Sequence, residues 1–450
     1  MKQGELRATG SLAAVFAMRL LGLFMIYPVF TGYAHHLHGA TPLLIGLALG
    51  AYGLTQGLLQ IPFGLLSDRI GRKPMISIGL VFFGIGSIVA ALSTSIGGVI
   101  LGRVLQGTGA VGSVVLAFVA DLTREEVRTK AMAIVGITIG MSFVAAIVIG
   151  PLVASVIGVP GIFWLTGVLA LVGIAITLFI VPNPEHIIRH RDAEAVPALF
   201  GRVLRNGELL RLNFAIFALH IILTASFLAV PALLTRSLHL TQHSDWIVYL
   251  PVLFVSVALM VPAIIVAEKG GRMKEMFIGA IALLTVSLLA LALAGGIGAV
   301  AVAALVGFFT AFNIMEAMLP SLVTKIAPAD AKGTATGIYS TLQFLGIFIG
   351  GAGGGWAFSL AGATGVFSFT LIVAGLWLAI AVTMRPPGRY SSYLVRLATF
   401  DRQGISALEA KLKAVPGVIE AFIAPDEDVA YLKIDRARFD ANAIAGIVGG

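Results

Sequence analysis

The feature of this sequence that most restricts its fold is a series of twelve long apolar runs separated by short polar intervals. The runs fall at 11–36, 42–66, 74–94, 97–121, 130–154, 161–181, 211–235, 245–267, 274–294, 298–323, 333–357 and 363–384. A helix needs about 20 mostly apolar residues to cross a bilayer, and only helices and closed barrels satisfy their backbone hydrogen bonds in lipid. The sequence therefore predicts an all-α polytopic membrane protein with twelve spans, numbered here as segments 1 to 12.

The composition excludes a soluble protein. Only 12% of the residues are charged and 58% are hydrophobic, whereas soluble domains carry about 25% charged residues. The chain of 450 residues has no cysteine, which excludes disulfides, thiolate metal sites and cysteine nucleophiles. We find no catalytic constellation, metal cluster or phosphate-binding motif in the sequence. We therefore expect neither an enzyme nor a cofactor nor a nucleic-acid partner.

The positions of lysine and arginine predict the orientation in the membrane. Basic residues gather in the intervals after even-numbered segments, and the intervals after odd-numbered segments carry little beyond Arg236. Because cytoplasmic loops are enriched in Lys and Arg, we expect both termini and every even-numbered interval in the cytoplasm. The expected location is the inner (plasma) membrane, with lipid around the spans, and the net charge of +8 reflects this topology.

Part of segment 2 and its following turn recurs, at the same spacing, in segment 8. The matched pairs are Pro62 and Pro262, Asp68 and Glu268, Gly71 and Gly271, and Arg72 and Arg272. The repetition predicts two homologous six-helix halves at 1–182 and 210–385, joined by a polar linker at 183–209 and followed by a tail at 389–450. The alternative is that basic turns recur by chance in polytopic proteins. Such repeats are typical of transporters that bind substrate between two halves.

Three short motifs resemble those of the major facilitator superfamily. The stretch GLLSDRIGRK (Gly64–Lys73) resembles its cytoplasmic signature between helices 2 and 3, and RVLQGTG, which begins at Arg103, resembles the helix-4 motif of its proton-coupled members. Gly150-Pro151 resembles the helix-5 motif of drug exporters, although Val153-Ala154 stand where a glycine pair is expected. The resemblance implies two pseudo-symmetric bundles that rock about a central substrate site, and exchange of a drug for protons.

The charges of the first motif predict a cytoplasmic gate. We expect Asp68 to face the start of segment 11 (Gly333–Thr336), where free amides and the helix dipole attract a carboxylate. Arg72 is placed to reach Asp121 at the end of segment 4 in a charge-assisted pair. These contacts would latch the two halves together in the outward-open state. The alternative is a plain basic turn, but acidic residues contribute little to topology.

The other members of the motif have simpler expected roles. Gly64 leaves no side chain on segment 2, so a neighbouring helix can approach closely. Gly71 belongs to the turn itself. Arg69 and Lys73 are expected to serve mainly the topology.

Four ionisable residues stand out deep within the spans, where a charge costs about 2.5–3.5 kcal/mol on insertion scales and usually faces a cavity or a partner. They are Arg19, Arg103, His220 and Glu316. Glu316 either carries a proton or contacts substrate, or it is permanently ionised beside an arginine such as Arg19. Arg103 is implied in proton coupling by the resemblance, and a structural role is the alternative. Arg19 and His220 are each either cavity residues or hydrogen-bonded structural residues.

Further polar residues share helix faces with these charges. Gln106 lies one turn from Arg103, on a stripe of small and polar residues that continues to Asp121, and Asn313 shares the stripe of Glu316. Two more pairs have the same spacing and are candidates to line the cavity: Tyr52 with Gln56, and Tyr339 with Gln343. Ordinary packing is the alternative for each.

The tail after segment 12 reads as a small soluble module. Strands are predicted at 390–399, 418–424 and 429–434, with helices from Ile405 to Val415 and over 439–448. This order resembles a ferredoxin-like domain whose last strand is short or missing. About 60 residues form a marginal core, so we expect the tail to dock on the cytoplasmic face or to self-associate with a second copy.

These observations favour a secondary active transporter that exports a small organic molecule or drug in exchange for protons. One alternative is a uniporter or symporter for a metabolite such as a sugar. An alternative from another class is a membrane sensor that transports nothing and signals through the tail.

Overall fold

The computed structural model describes residues 1–183, 195–240, 244–386, 390–397, 404–425, 429–435 and 438–448. Within these ranges, ten helices are long and apolar enough to cross a membrane. Two of the ten, Glu125–Ala175 and Lys332–Val382, are pairs of spans, because the backbone leaves the helical region at Gly158 and at Ala361–Gly362. Division at these kinks yields the twelve spans that the hydropathy pattern predicts.

The helices of the first half are α1 (Gln3–Phe24, continued by Tyr27–Ala34), α2 (Pro42–Ile70), α3 (Arg72–Leu92), α4 (Ile96–Thr108 and Gly112–Asp121), α5 (125–157) and α6 (159–175, extended by Ile176–Ile180). The linker contains a turn at Pro197–Leu199 and a short helix at Phe200–Leu204. The helices of the second half are α7 (Gly207–Leu238), α8 (Trp246–Gly270), α9 (Met273–Leu293), α10 (Gly298–Ile326), α11 (332–360) and α12 (363–382).

Local signals in the sequence explain where these helices begin and end. The Thr41 hydroxyl caps α2 by accepting a hydrogen bond from the amide of Leu44, and Pro42 occupies the first turn, a position where its missing N–H costs nothing. α2 and α8 stop at Gly71 and Gly271, which have φ angles of 103° and 66° that glycine adopts most readily. Two glycines of the sequence repeat thus both end helices.

One unpredicted break interrupts α4. The helix stops at Thr108 and resumes at Gly112, whereas the sequence predicts one continuous stripe from Arg103 to Asp121. Gly107 and Gly109 lie at the break: a Cβ at Gly107 would lie 2.3 Å from the Tyr52 carbonyl oxygen, and one at Gly109 would lie 2.2 Å from the Gly79 carbonyl oxygen. The chain here approaches neighbouring backbone more closely than any other residue type permits.

The two halves meet along α2 and α11 and along α1 and α7. We call the end of the bundle that carries Gly71 the basic end and the other the opposite end. Towards the opposite end, Thr31 of α1 donates a hydrogen bond to the Phe227 carbonyl oxygen of α7 at 3.2 Å, and α2 packs backbone to backbone on the glycines of α11. Buried apolar side chains form one cluster through both halves.

The tail folds as the predicted small α+β module. It contains β1 (Tyr390–Arg396), α13 (Ile405–Lys413), β2 (Val418–Ala424), β3 (Val429–Asp435) and α14 (Ala441–Val448). The antiparallel strands have the order β1-β3-β2, which over the described residues is the ferredoxin-like arrangement without its last strand. α14 begins at Ala441, two residues after the predicted start. Residues 426–428, between the second and third predicted strands, and the end of the first predicted strand, 398–399, lie outside the described residues.

The tail docks on the loop between α10 and α11 at the basic end. Lys433 Nζ donates to the carbonyl oxygens of Ile326 and Ala327 at 3.0 and 3.3 Å. The Ala329 amide donates to Glu420 Oε2 at 3.2 Å. A small apolar cluster joins Ala329 to the sheet at Tyr431. Lys433 therefore places its charge at the carbonyl end of α10, where the helix dipole favours a cation.

Replacing Lys433 with glutamine is expected to loosen this docking, because glutamine is shorter and loses the charge that the carbonyl end of α10 attracts. Hydrogen exchange at the Ala329 amide should become several-fold faster, while exchange within β3 stays slow. Lys413→Gln, an exposed lysine of α13, is the matched control. Equal exchange rates in the two variants would contradict the assigned role of Lys433.

Candidate functional site

The charged motif between α2 and α3 forms a buried ion-pair cluster at the basic end. Arg72 Nη1 donates to Asp68 Oδ1 at 2.5 Å and to the Ser67 hydroxyl at 2.6 Å. Arg72 Nε donates to Asp121 Oδ2 at 2.8 Å. The Arg72 and Asp121 side chains are 1% and 0% exposed, and burial of charge requires such pairing. The pair that the sequence predicts between Arg72 and Asp121 is present, and it ties the end of α4 to the junction of α2 and α3.

The remaining motif residues lie around this cluster. A Cβ at Gly64 would lie 3.2 Å from the Ser113 hydroxyl oxygen, so the helix that approaches Gly64 closely is α4. Gly71 joins α2 to α3 through its positive φ angle. Arg69 is exposed and Lys73 is half-buried, and neither contributes to the cluster.

A pocket with about 520 Å³ of empty space lies between the halves beside Asp68. Its lining includes Gln60, Gly64 and Asp68 of α2, Ser113 and Ala117 of α4, and Gly333, Thr336, Gly337 and Ser340 of α11. The N-cap residue of α11 is Ala331, whose side chain cannot cap the helix. Asp68 and the start of α11 thus line the same pocket, and a direct contact between them stays a prediction.

The linker also reaches this pocket, which the sequence did not indicate. Ala195 is one of the lining residues, and the Val196 amide donates to the Thr334 hydroxyl of α11 at 2.9 Å. Arg202 forms an ion pair with Asp330 in the loop before α11. The described part of the linker therefore follows α11 across the basic end.

A buried polar network lies deeper in the first half, around Tyr52. Arg19 of α1 donates to the Tyr52 hydroxyl and to Gln56 Oε1, and Gln56 Nε2 donates to Gln60 Oε1 at 3.1 Å. Because Gln60 lines the pocket, a continuous line of hydrogen bonds runs from the pocket to Arg19. The sequence singled out Tyr52 and Gln56 but missed Gln60, which continues their i, i+4 series towards Gly64 and Asp68.

Arg103 of α4 approaches the same tyrosine from another side. Its guanidinium carbon lies 5.1 Å from the centre of the Tyr52 ring, and that of Arg19 lies 5.7 Å from it, within the range of cation–π attraction. Arg103 donates to Gln106 Oε1 at 2.8 Å and to the carbonyl oxygens of Ala48 and Leu49. Gln106 in turn donates to the Ser87 hydroxyl at 2.8 Å. Ser87 was not among the residues predicted from the sequence.

The second half contains a separate cluster around Glu316. Gln343 Nε2 of α11 lies 3.1 Å from Glu316 Oε1 and 3.0 Å from His220 Nε2. Since the amide nitrogen only donates, His220 Nε2 accepts, and Nδ1 carries the proton towards the Ile216 carbonyl oxygen at 3.2 Å. Glu316 Oε2 lies 4.0 Å from His220 Nε2 and accepts no hydrogen bond from the described residues.

The alternative pairing of Glu316 with Arg19 is not present among the described side chains, since each belongs to a different cluster. Asn313 lies three residues before Glu316 on α10, and Tyr339 lies on α11. Both residues are buried, and Asn313 Nδ2 and the Tyr339 hydroxyl have no hydrogen-bond partner among the described residues. The described residues hold no group of His, Asp and Glu side chains suited to a metal ion.

The sequence fits a known family along most of its length. Residues 12–351, and in a second match residues 212–405, fit the family model of the Major Facilitator Superfamily. The chain is 45% identical over 435 residues to the inner membrane transport protein YajR of Escherichia coli, an alignment that covers 97% of this chain and 95% of that protein.

Solved structures agree in fold. The human organic anion transporter MFSD10 (TETRAN) is 18% identical with a TM-score of 0.59, and the alignment covers 84% of this chain and 99% of that one. A mutant of the nucleoside transporter NupG is 12% identical with a TM-score of 0.65, covering 84% and 98%. At these identities the likeness extends to the twelve-helix arrangement only.

Proposed function

Because this chain belongs to the major facilitator superfamily and is a multi-pass inner membrane transporter, we propose that it exports a small organic molecule or drug in exchange for protons. Its two halves would rock about a central site and expose that site to each side in turn. The observation that carries the proposal is the Glu316 carboxylate on α10. Its side chain is 26% exposed, and its Oε2 atom is buried and accepts no hydrogen bond from the described residues.

Alternating access is supported by the unequal packing of the seam. At the opposite end, α2 and α11 are in backbone contact, with a Cβ on Gly46 only 2.1 Å from the Gly351 carbonyl oxygen. At the basic end, the pocket beside Asp68 lies between the same two helices. A rocking motion that closes this pocket would bring Asp68 to the uncapped start of α11.

The cluster of Glu316, Gln343 and His220 supports a proton site. A proton on Glu316 Oε2 would remove a charge from the interior of the bundle, and protonation of His220 Nε2 would displace the Gln343 donor. Each event changes which bonds join α7, α10 and α11. Protonation would thereby be linked to the position of α11, the helix that faces Asp68.

From the basic residues at the end that carries Gly71, we expect that end and both termini to lie in the cytoplasm. With that orientation, the pocket opens inward in this structure.

The proposal is tested by reconstitution into liposomes that contain a pH-sensitive dye. With a pH gradient imposed and a panel of small organic molecules added, we expect the internal pH to change only when a transported molecule is present. Flux without a pH change would indicate a uniporter instead, and the absence of any flux would favour the sensor.

Glu316→Gln is expected to abolish proton-driven transport and to leave exchange of labelled for unlabelled substrate within about threefold of the native rate, because glutamine keeps the size and loses the proton site. The two fluxes are measured in the same liposomes. Glu275→Gln, at the exposed start of α9, is the control and should retain both. Loss of exchange together with proton-driven flux would assign Glu316 to substrate binding or structure.

A further inference from the structure

The charge balance of the first-half network points to the chemistry of the transported molecule. Arg19 and Arg103 are 1% and 0% exposed, and both lie against Tyr52. Their hydrogen-bond acceptors among the described residues are a phenol, two amide side chains and backbone carbonyl oxygens, all neutral. Two buried cations against one tyrosine ring are unfavourable without an anion.

Arg19 has unused hydrogen-bonding capacity. Its Nη2 group donates to Tyr52 and Gln56, but Nε and Nη1 are buried and have no acceptor among the described residues. A buried charged donor without an acceptor loses its hydration and gains nothing in return. Such groups in a polar network are suited to a ligand that supplies acceptor oxygens.

The break in α4 supplies a second feature that favours an anion at the same place. The helix Gly112–Asp121 begins without a side-chain cap, so its first amides lack intrahelical acceptors, and its dipole is positive at this end. The position that a Cβ would occupy on Gly112 lies 3.6 Å from Arg19 Nη1 and 3.6 Å from the Phe16 ring. The free guanidinium group and the helix start therefore adjoin one another.

We propose that the transported molecule carries an acid group, which binds between Arg19 and the first turn of the helix Gly112–Asp121. The proposal rests on the transport function proposed above. Hydrogen bonds from Gln60 through Gln56 link Arg19 to the pocket. The adjoining Phe16 and Tyr52 rings would contact the apolar part of the molecule.

The test measures binding by the full-length purified protein, not transport. The probes are benzoate and octanoate, their neutral amides, and benzamidine as a cation of the same shape as benzoate. A ligand that binds the folded state raises the unfolding midpoint, which the four tryptophans report by fluorescence. We expect the two acids to raise the midpoint and the amides and benzamidine to leave it unchanged.

Variants locate the binding site. Arg19→Gln should weaken the apparent affinity for the acids at least tenfold, and Arg19→Lys, which keeps the charge and has fewer donors, should weaken it less. Arg7→Gln, an exposed arginine on the same helix, should bind as the native protein does. If Arg19→Gln does not fold, the affinity of Arg19→Lys for the acids is compared with that of Arg7→Gln, and weaker binding by Arg19→Lys supports the same site.

Three results would overturn the proposal. They are no stabilisation by either acid, equal stabilisation by the amides or benzamidine, and stabilisation by chloride alone to which the acids add nothing. Binding requires no pH gradient, so these results would leave the proton-coupled function standing. Conversely, acid binding through Arg19 without substrate-dependent pH changes would reject the proton coupling alone.

Discussion

Asp68→Asn is expected to shift the protein towards the state that is open at the basic end and to lower proton-driven flux by roughly 2- to 30-fold. In the closed state, the Asp68 carboxylate would accept hydrogen bonds from the uncapped start of α11, and a neutral amide loses the attraction of the helix dipole. That attraction is about 0.3–1 kcal/mol at a surface and up to about 2 kcal/mol when partly buried. At 1.4 kcal/mol per tenfold change, the open-to-closed ratio should rise by roughly 2- to 30-fold.

The absence of native cysteine makes this shift measurable. A cysteine at Ser340, which lines the pocket, can be alkylated by a maleimide only when the pocket is open. Labelling should be faster in Ser340→Cys/Asp68→Asn than in Ser340→Cys alone. The control is Ser340→Cys/Arg69→Gln, which removes an exposed charge and should be labelled at the same rate as Ser340→Cys alone. Folding should survive because Arg72 keeps Asp121 as a partner. Unchanged labelling together with native flux would show that Asp68 does not hold the gate.

The sequence predicts the framework of this protein well because the framework depends on local patterns. Apolar runs of sufficient length place the twelve spans, and the repeat of Gly71 at Gly271 places two equivalent helix ends. The pair of Arg72 with Asp121 was also predictable, since both residues lie at the ends of spans that face the same side of the membrane. In each case the relevant residues are close in sequence or related by topology alone.

The internal contacts were harder to predict because they depend on the rotation of each helix about its axis. From the sequence, Glu316 could pair with Arg19, because both are charged residues within spans. In the structure, Glu316 instead accepts a hydrogen bond from Gln343, and Arg19 donates to Tyr52 and Gln56. The break in α4 was missed because glycines such as Gly107 are equally consistent with close packing of a continuous helix. Gln60 could have been found by continuing the spacing of Tyr52 and Gln56 by one more turn.

The same rocking motion predicts an opposite effect for a substitution at the other end of the seam. Gly46 of α2 packs on α11 so closely that a Cβ would lie 2.1 Å from the Gly351 carbonyl oxygen and 2.8 Å from the Gly355 Cα atom. Both are backbone atoms, so no side chain can turn away to make room. The closed arrangement of the opposite end therefore requires glycine at this position.

Gly46→Val should consequently keep the opposite end from closing and abolish transport. If the halves move as rigid bodies, the basic end then stays closed, and maleimide labelling of Ser340→Cys should fall at least fivefold, in contrast to its rise in Asp68→Asn. Gly46→Ala should cause a smaller change in the same direction. Gly375→Val is the matched control, because nothing lies within 4 Å of a Cβ added to this glycine of α12. Equal labelling in Gly46→Val and Gly375→Val would mean that the two ends of the seam are not coupled.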